Sequence, residues 1–327
     1  MSNSRVGSPE AVLAELVGVR SAAICGHVNP DGDCLGSNLA LAELLRALGI
    51  QTSSLLAQPS PPPDLYAFLE GYEFIAAADY TQTPDLFIIV DAPSLERIGD
   101  AAAIFKRARR TLVIDHHPEY AGVADLYFGD VYAPATASLV WQLIEASGIQ
   151  PNRRMAEYCY VAIMTDTGRF SFQNTDAEAF EQAARMVHLG ARPTWLSQRV
   201  YENKPIGAVR LESRLVERIH FACAGAVVYS WINEQDFSDF SVSRDDTEGL
   251  PTILRSLAGV EVAALLREET GSVRVNLRSR AGLDVGAFAR AHGGGGHEAA
   301  AGLTLQMTLA EALESFIPQL VELVCKE

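Results

Sequence analysis

The sequence is short of positive charge. Its 26 Lys and Arg stand against 41 Asp and Glu, for a formal net charge of −15 and a pI of about 4.9. That deficit argues against long polyanionic partners, because holding many phosphates takes a basic face that displaces counterions. Small anionic ligands stay open, since a few local cations or metal ions override the global field. No run of 18 or more apolar residues is present, so a membrane partner is not expected. The opening MSNSRVGSPEAVLAEL lacks the basic n-region and apolar h-region of a signal peptide, and the expected location is cytoplasmic. Five cysteines, at 25, 34, 159, 223 and 325, are an odd number without C-x-x-C spacing, which fits a reduced compartment better than a disulfide framework or a zinc ribbon. Fixed-period repeats are missing too, which excludes solenoids.

What is present is a chain of 327 residues, roughly two domains at about 150 residues each, with a cleft expected between them. Up to about residue 190, short apolar runs alternate with amphipathic segments, the pattern of a parallel α/β sheet. Ala22–Gly26, Thr52–Ala57, Leu86–Val90 and Thr111–Ile114 read as strands, and Leu35–Leu48, Thr136–Ser147, Arg153–Met164 and Ala177–Leu189 as helices. Pro59–Pro63 reads as a loop. Residues 194–218 read as charged helix broken at Pro205; then come strands at Gly225–Trp231, Val260–Arg267, Ser272–Arg280 and Leu303–Met307, a short helix at Asp284–Ala291, a glycine loop at His292–Gly296 and a final helix at Leu309–Cys325. The expected fold class is α/β, an N-terminal parallel sheet over 1–192, a helical linker over 193–206 and a smaller mixed-sheet α/β domain over 207–327.

Chemistry gathers just after the strands. His27 follows the first, Asp91 the third, and Asp115-His116-His117 the fourth, and in an open parallel sheet those carboxyl ends line one crevice where ligands bind. His27-Val-Asn-Pro-Asp31-Gly-Asp33 adds two carboxylates on a Pro/Gly turn, two apart on what would be extended backbone, and Asp166 follows an apolar helix. Converging aspartates without a counter-charge would raise one another's pKa, a conflict that divalent cations resolve. Mixed imidazole and carboxylate donors point to Mn²⁺, Co²⁺, Fe²⁺ or Zn²⁺ more than to Mg²⁺ or Ca²⁺, and two ions about 3.5–4 Å apart are the usual apparatus for turning water on a phosphate ester.

The set His27-x3-Asp31-x-Asp33-x2-Gly36-Ser37, Val90-Asp91, Asp115-His116-His117 and Thr165-Asp166-Thr167-Gly168-x-Phe170, with Arg278-Ser279 and Gly294-Gly295-Gly296-His297 far downstream, resembles the DHH phosphoesterase superfamily. The likeness spans about Ser21 to Leu303 and is nearest to the two-domain branch of oligoribonucleases that also act as 3′-phosphoadenosine 5′-phosphate phosphatases, with cyclic-dinucleotide phosphodiesterases beside it. It implies an active cleft and two Mn²⁺ ions, replaceable by Mg²⁺ or Co²⁺: His27 and Asp31 on one, Asp33, His116 and Asp166 on the other, and Asp91 bridging. His117 would face the substrate phosphate, and Asp115 would orient the imidazoles. Arg278 and Ser279, with Gly294, Gly295, Gly296 and His297, would receive a terminal phosphate on loop N–H groups and a following helix N-terminus. The implied substrates are short oligoribonucleotides cut to mononucleotides, or 3′-phosphoadenosine 5′-phosphate. Cyclic di-AMP is the alternative on the same apparatus, and a non-catalytic nucleotide sensor the alternative of another class. The resemblance also implies a homodimer.

Two departures from the family pattern stand out: the glycine run is four long, Gly293–Gly296, and Ala162 occupies a position where relatives carry glycine. Neither removes a ligand. Cys25 and Cys34 read as packing residues, Arg169 and Phe170 as surface charge and core ring, and His188 and His220 as residues outside any site. His292 abuts the glycine loop and is open to either a structural or a substrate role.

Overall fold

A computed structural model describes residues 5–59, 62–118, 120–247, 249–280 and 283–325. Residues 60 and 61 of the proline-rich stretch lie outside the described residues. The chain divides into two compact units, Met1–Glu202 and Asn203–Glu327. Among the described residues no helix is long and apolar enough to cross a membrane.

The first unit is built on seven strands, β1 (Arg5–Val6), β2 (Ser21–Cys25), β3 (Gln51–Leu56), β4 (Ile75–Ala76), β5 (Leu86–Val90), β6 (Arg110–Asp115) and β7 (Leu126–Gly129). All pair in parallel, in the order β1-β7-β6-β5-β2-β3-β4. The compact runs Ala22–Cys25, Leu86–Val90 and Leu112–Asp115 are buried on both faces, as parallel strands between helical layers must be. Alternation divides them between two cores: Ile24, Ile88, Val90 and Ile114 on one side, Ala23, Phe87, Ile89 and Val113 on the other. From β2 the chain winds outward through β3 and β4, then returns to β5 and winds the opposite way through β6 and β7. The sheet therefore has its topological switch point between β2 and β5, the place where open α/β sheets leave a crevice.

The helices are α1 (Pro9–Glu15), α2 (Gly32–Ala47), α3 (Ala102–Arg107), α4 (Thr136–Ala146), α5 (Arg153–Asp166), α6 (Ala177–His188) and α7 (Pro193–Tyr201). Helix α2 is buried almost all round, not on one broad face, because its apolar leucines meet the sheet on one side and small residues meet helices on the other. Gly36 faces α5 so closely that a Cβ there would lie 2.6 Å from the Tyr158 carbonyl oxygen and 2.9 Å from the Ala162 methyl. At Gly32 a Cβ would lie 2.3 Å from Thr165 Oγ1. These contacts bring the start of α2 against the end of α5. The expected strand and helix around them differ in extent: β6 runs on through Asp115, and α5 runs on through Asp166, so these acids end their elements instead of following them.

The second unit holds α8 (Ile206–Glu217), β8 (His220–Ala222), β9 (Val227–Ile232), α9 (Glu234–Phe240), α10 (Leu250–Arg255), β10 (Val262–Glu269), β11 (Ser272–Ser279), α11 (Val285–Ala291), β12 (Gly295–His297), β13 (Ala300–Leu305), α12 (Leu309–Glu311) and α13 (Ile317–Cys325). Its six-stranded sheet runs β12-β13-β11-β10-β9-β8, with β9 and β10 parallel and the other pairs antiparallel. Val273, Val275, Leu277 and Leu303 turn one face into a core with Phe316 and Leu320 from the C-terminal helices. On the other face, Val228, Ala263 and Leu265 pack on Leu211 and Leu254.

The chain is helical over 309–325, with a π-helical segment at Ala312–Phe316 between α12 and α13 and Pro318, which has no N–H to give back to residue 314, just beyond it. Two expectations are corrected here. The end of the glycine loop is strand β12, followed by β13 and not by a helix. Cys223 and Cys325, expected as free thiols, are joined in a disulfide with Cα atoms 5.6 Å apart, because the turn before β9 and the end of α13 meet across 102 residues of chain. Cys25, Cys34 and Cys159 are buried free thiols.

Candidate metal centre

The switch point gathers the predicted donors of the first unit. His27 leaves the end of β2, buried, and its Nδ1 lies 2.8 Å from the Val28 carbonyl oxygen. His116 leaves β6, equally buried, with Nδ1 3.1 Å from Ala133 O. In both rings the δ nitrogen donates to a carbonyl, so Nε2 is the nitrogen that faces the carboxylates and the one whose lone pair a cation would take on displacing its proton. This is the arrangement by which a backbone acceptor fixes the tautomer of a metal-ligating histidine.

Asp91 stands between the two rings. Its Oδ2 is 3.3 Å from His27 Nε2, and its Oδ1 is 3.7 Å from His116 Nε2 and 3.7 Å from His117 Nδ1. The residue sits at φ +58°, a left-handed conformation that costs energy for a side chain other than asparagine, aspartate or glycine and is retained where surrounding structure insists on it. Around His116 Nε2 lie Asp33 Oδ2 and Asp166 Oδ2, each at 3.9 Å. Around His27 Nε2 lies Asp31 Oδ1 at 3.8 Å. Asp31 and Asp33 do not diverge along an extended strand, as expected from spacing. Asp31 is the N-cap of α2, with Oδ1 accepting from the Asp33 and Cys34 amides at 3.1 and 3.0 Å, while Asp33 already lies in the first helical turn.

Several groups hold the donors that sequence reading did not single out. Asp33 accepts from the Thr136 and Ala137 amides at the start of α4, at 2.7 and 3.0 Å, and from Ser37 Oγ at 3.0 Å. Thr136 Oγ1 donates to Asp91 Oδ1 at 2.9 Å, so one buried residue ties both acids. Asn174 Nδ2 donates to Asp166 Oδ2 at 3.0 Å and to Pro134 O at 2.9 Å. The only signal for Thr136 was its place at the head of an apolar helix, where N–H groups are unpaired; Asn174 had none. Cys34, read as packing, places its sulfur within 4.8 Å of donor atoms of His27 and Asp91.

The electrostatics of the cluster are those of crowded acids. Burial, with Asp91 and Asp166 beside it, pushes Asp33 well above the usual carboxylate range. Burial likewise carries Asp166 up to about 6, against the pull of His116. Burial works against the charged form of His27, but Asp31 and Asp91 more than offset it and carry the ring up to about 10. His116 rises to about 9 in the same way, through Asp166, Asp33 and Asp91. Asp91 itself falls, its desolvation outweighed by its hydrogen bond with His27 and by the His117 and His116 charges. Protons on imidazoles thus occupy the place of the positive charge the cluster calls for. Imidazole and carboxylate donors in two overlapping groups, His27 and the half-exposed Asp31 with Asp91, and Asp33, His116 and the partly buried Asp166 with Asp91, suit divalent cations.

His117 is partly buried; its Nδ1 lies 2.7 Å from Asp115 Oδ1, and Asp115 is fully buried. The hydrogen bond fixes the orientation of the His117 ring. Arg169 and Phe170 follow Asp166 in left-handed conformations; Arg169 lies over the Tyr201 ring and Phe170 stacks on Phe180. His188 and His220 bond to nearby backbone carbonyls. His292 does the same at Phe288 O and also meets Gln319 Oε1.

In the second unit, Arg278 of β11 and His297 of β12 are both in register with Ala300 of β13, so they share one face of the sheet. Gly294 is demanded by packing: a Cβ there would lie 2.4 Å from Gly302 O and 2.5 Å from Leu303 Cβ. Gly295 pairs with Gly302, and Gly296 sits at φ +133°. Ser279 is a correction. One residue beyond Arg278 it points to the opposite face, buried, with its hydroxyl 2.8 Å from Leu283 O and 3.2 Å from Glu298 O, so it shapes the turn and does not face a ligand on the Arg278 side.

Fold and centre together define a two-unit α/β protein with a carboxylate–imidazole cluster at the switch point of a parallel sheet. Residues 21–163 match the DHH family, N-terminal domain, and residues 224–327 match the DHHA1 domain. The chain belongs to the DHH phosphoesterase family. It is similar to the bifunctional oligoribonuclease and PAP phosphatase NrnA of Bacillus subtilis, 28% identical over 85% of this chain and 87% of the relative, and to the NrnA of Thermus thermophilus, 29% identical over 89% and 86%. The crystal structure of an exopolyphosphatase-related protein from Bacteroides fragilis shares the fold, with a TM-score of 0.89 at 22% identity, covering 98% of this chain and 97% of that one.

Proposed function

We propose that this chain is a Mn²⁺-dependent phosphoesterase that degrades short oligoribonucleotides to mononucleotides and removes a phosphate from 3′-phosphoadenosine 5′-phosphate. The observation that carries the reading is Asp91, whose two oxygens face Nε2 of His27 and Nε2 of His116 from a buried position at φ +58°. The NrnA relatives, named for both activities, support the choice of substrates.

In this reading His27 and Asp31 hold one ion, Asp33, His116 and Asp166 the other, and Asp91 serves both. Two bound divalent ions supply Lewis acidity toward the phosphoryl oxygens and an activated water. The remaining work belongs to the chain. Thr136 keeps Asp91 and Asp33 in place, Asn174 steadies Asp166, and the Val28 and Ala133 carbonyls hold each imidazole with its lone pair outward. Asp115 fixes His117 for donation to a non-bridging phosphate oxygen. Arg278, His297 and the Gly294–Gly296 segment receive a terminal phosphate. With acids outnumbering basic residues, long RNA is a poor ligand.

A Mn²⁺ hydrolysis panel of pApA, longer RNA, 3′-phosphoadenosine 5′-phosphate and cyclic di-AMP tests this. Release of AMP from the first and third is expected; intact pApA and intact 3′-phosphoadenosine 5′-phosphate overturn the reading, and cleavage of cyclic di-AMP alone transfers it to the cyclic-dinucleotide branch. Asp91→Asn, which keeps a side chain tolerant of the left-handed backbone, should abolish turnover and leave the fold intact.

A further inference from the structure

The link between β7 and α4, residues 130–135, is fastened to the metal centre of the first unit. Asp115 of β6 is in register with Gly129 of β7, so His116 and His117 leave the sheet beside the segment that starts at Asp130, at the same carboxyl edge. Asp130 shapes the turn: its Oδ1 accepts from the Tyr132 amide at 2.9 Å and its carbonyl from the Ala133 amide at 3.1 Å. Ala133 O then receives His116 Nδ1, Pro134 O receives the Asn174 amide that also donates to Asp166, and the Thr136 and Ala137 amides reach Asp33. Residues 133–136 are buried.

Within this fastened link two apolar side chains stand in solvent. Val131 is 48% exposed and Tyr132 85%, which makes Tyr132 the most exposed large apolar or aromatic side chain among the described residues. Its backbone is already fixed and only its own χ angles remain to be ordered, so the ring offers a flat π face at small entropic cost. Its place also matches the scale of a nucleotide. Consecutive Cα atoms are about 3.8 Å apart, so Tyr132 stands one residue from the carbonyl that anchors His116, while a base stands one ribose from its phosphate. Aromatic rings are the general platform for unpaired bases, and a chain with 26 basic against 41 acidic residues has little cationic surface with which to hold a strand by its backbone alone.

We propose that Tyr132 is the platform on which a nucleobase next to the reacting phosphate stacks, so that short oligonucleotides are held by a base as well as by their phosphates. The contact tolerates sequence, because every base has a π face, and it favours purines through their larger ring area. The inference rests on the reading above that the cluster takes a nucleotide phosphate, and it adds to that reading the group that recognises the base.

The test is a fluorescence titration of the full chain, with Ca²⁺ as the cation, using 5′-phosphorylated dinucleotides that carry 2-aminopurine at one position or the other; the emission of this base falls when it stacks. The wild type should bind and quench at one of the two positions. Tyr132→Ala should abolish that quench and weaken binding about tenfold, the ordinary worth of one stacked base. Tyr132→Leu, which keeps apolar bulk without a π face, should behave like Tyr132→Ala, and Tyr132→Phe like the wild type. An analogue with the same phosphates and no base at the quenched position should bind wild type and Tyr132→Ala equally. Because the ring lies in solvent and the turn is held through the Tyr132 amide, these variants should keep the fold. A wild type that binds without quenching, a quench that survives in Tyr132→Ala, or an equal loss of affinity for the baseless analogue overturns the proposal. So does a smaller mass for Tyr132→Ala than for wild type in light scattering, since the ring then belongs to an interface between copies of the chain. Hydrolysis with Mn²⁺ is scored separately on the wild type: a chain that quenches the probe but cleaves nothing defeats the catalytic reading and not this one, and a chain that binds neither probe defeats both.

Discussion

At the scale of single residues, the centre depends on groups that never touch a metal in our reading. Thr136 is the clearest, since its amide and hydroxyl reach Asp33 and Asp91. Thr136→Val keeps shape and the amide but removes the hydroxyl's hydrogen bond. Partners of this kind typically cost tenfold to a hundredfold in metal affinity, and a loss of roughly that size in Mn²⁺ titrations is expected with the melting temperature nearly unchanged. Protonation gives a second outcome. His27 and His116 have folded pKa values raised from 6.5 to about 10 and about 9, so the stability they contribute is full below 6.5 and is lost as pH rises through those values. Asp166, raised from 3.8 to about 6, acts in the same direction at lower pH. Chelator-treated protein should therefore melt several degrees lower at pH 10 than at pH 6, whereas Mn²⁺ should stabilise it more as pH rises, because it replaces those protons. A flat or rising melting profile in EDTA over that window would contradict the charge picture. His27, Asp91, Asp115, His116 and His117 stand out in the sequence because they end or follow apolar strands, and Asp166 because it ends an apolar helix, while Asp31 and Asp33 stand out only by their spacing on a Pro/Gly turn. Thr136 and Asn174 do not, since one hydroxyl and one amide look like any others until the chain is folded.

At the scale of elements, close approach of α2 and α5 sets the distance between the Asp33 and Asp166 carboxylates. Gly36 and Ala162 permit it. The Ala162 methyl is accommodated because Gly36 across from it has no side chain. Gly36→Val should cost about 1–3 kcal/mol through overpacking and should also weaken metal binding by forcing the helices apart. Gly249→Ala is the matching control, since a Cβ there meets nothing within 4 Å, and it should melt like the wild type. Thermal denaturation with and without Mn²⁺ reads both. Strands β2, β5 and β6 could be read as strands from apolar runs alone, and Leu86–Val90 has the same limits in sequence and structure. Two-residue strands such as β1 and β4 are too short to leave a pattern. Strand β12 has the sequence of a loop because glycine has no strand preference of its own; its pairing with β13 decides it.

At the scale of the whole molecule, the second unit has a covalent tie that the first lacks among the described residues. The disulfide between Cys223 and Cys325 closes a loop of 102 residues. Cys223→Ser should lower stability by roughly 2–4 kcal/mol under oxidising conditions. Under a reducing agent, wild type and variant should unfold alike, and a variant unchanged in both conditions would show that the bond adds nothing. Light scattering tests the homodimer that the family resemblance implies.

The sequence by itself determined the central strands and the longer helices of the first unit, the identity of the acids and imidazoles, and the placement of His27, Asp91 and Asp115–His117 at strand ends, because apolar periodicity and residue chemistry are local properties. It also determined the shortage of positive charge that steers the reading toward short ligands. Only the tertiary structure decided that the switch point lies between β2 and β5, that Asp91 faces both imidazoles, that Ser279 turns away from the Arg278 face, and that two distant cysteines meet. Each of these depends on which strands become neighbours and in what register, and pairing across many residues of chain is a global property that no local pattern contains.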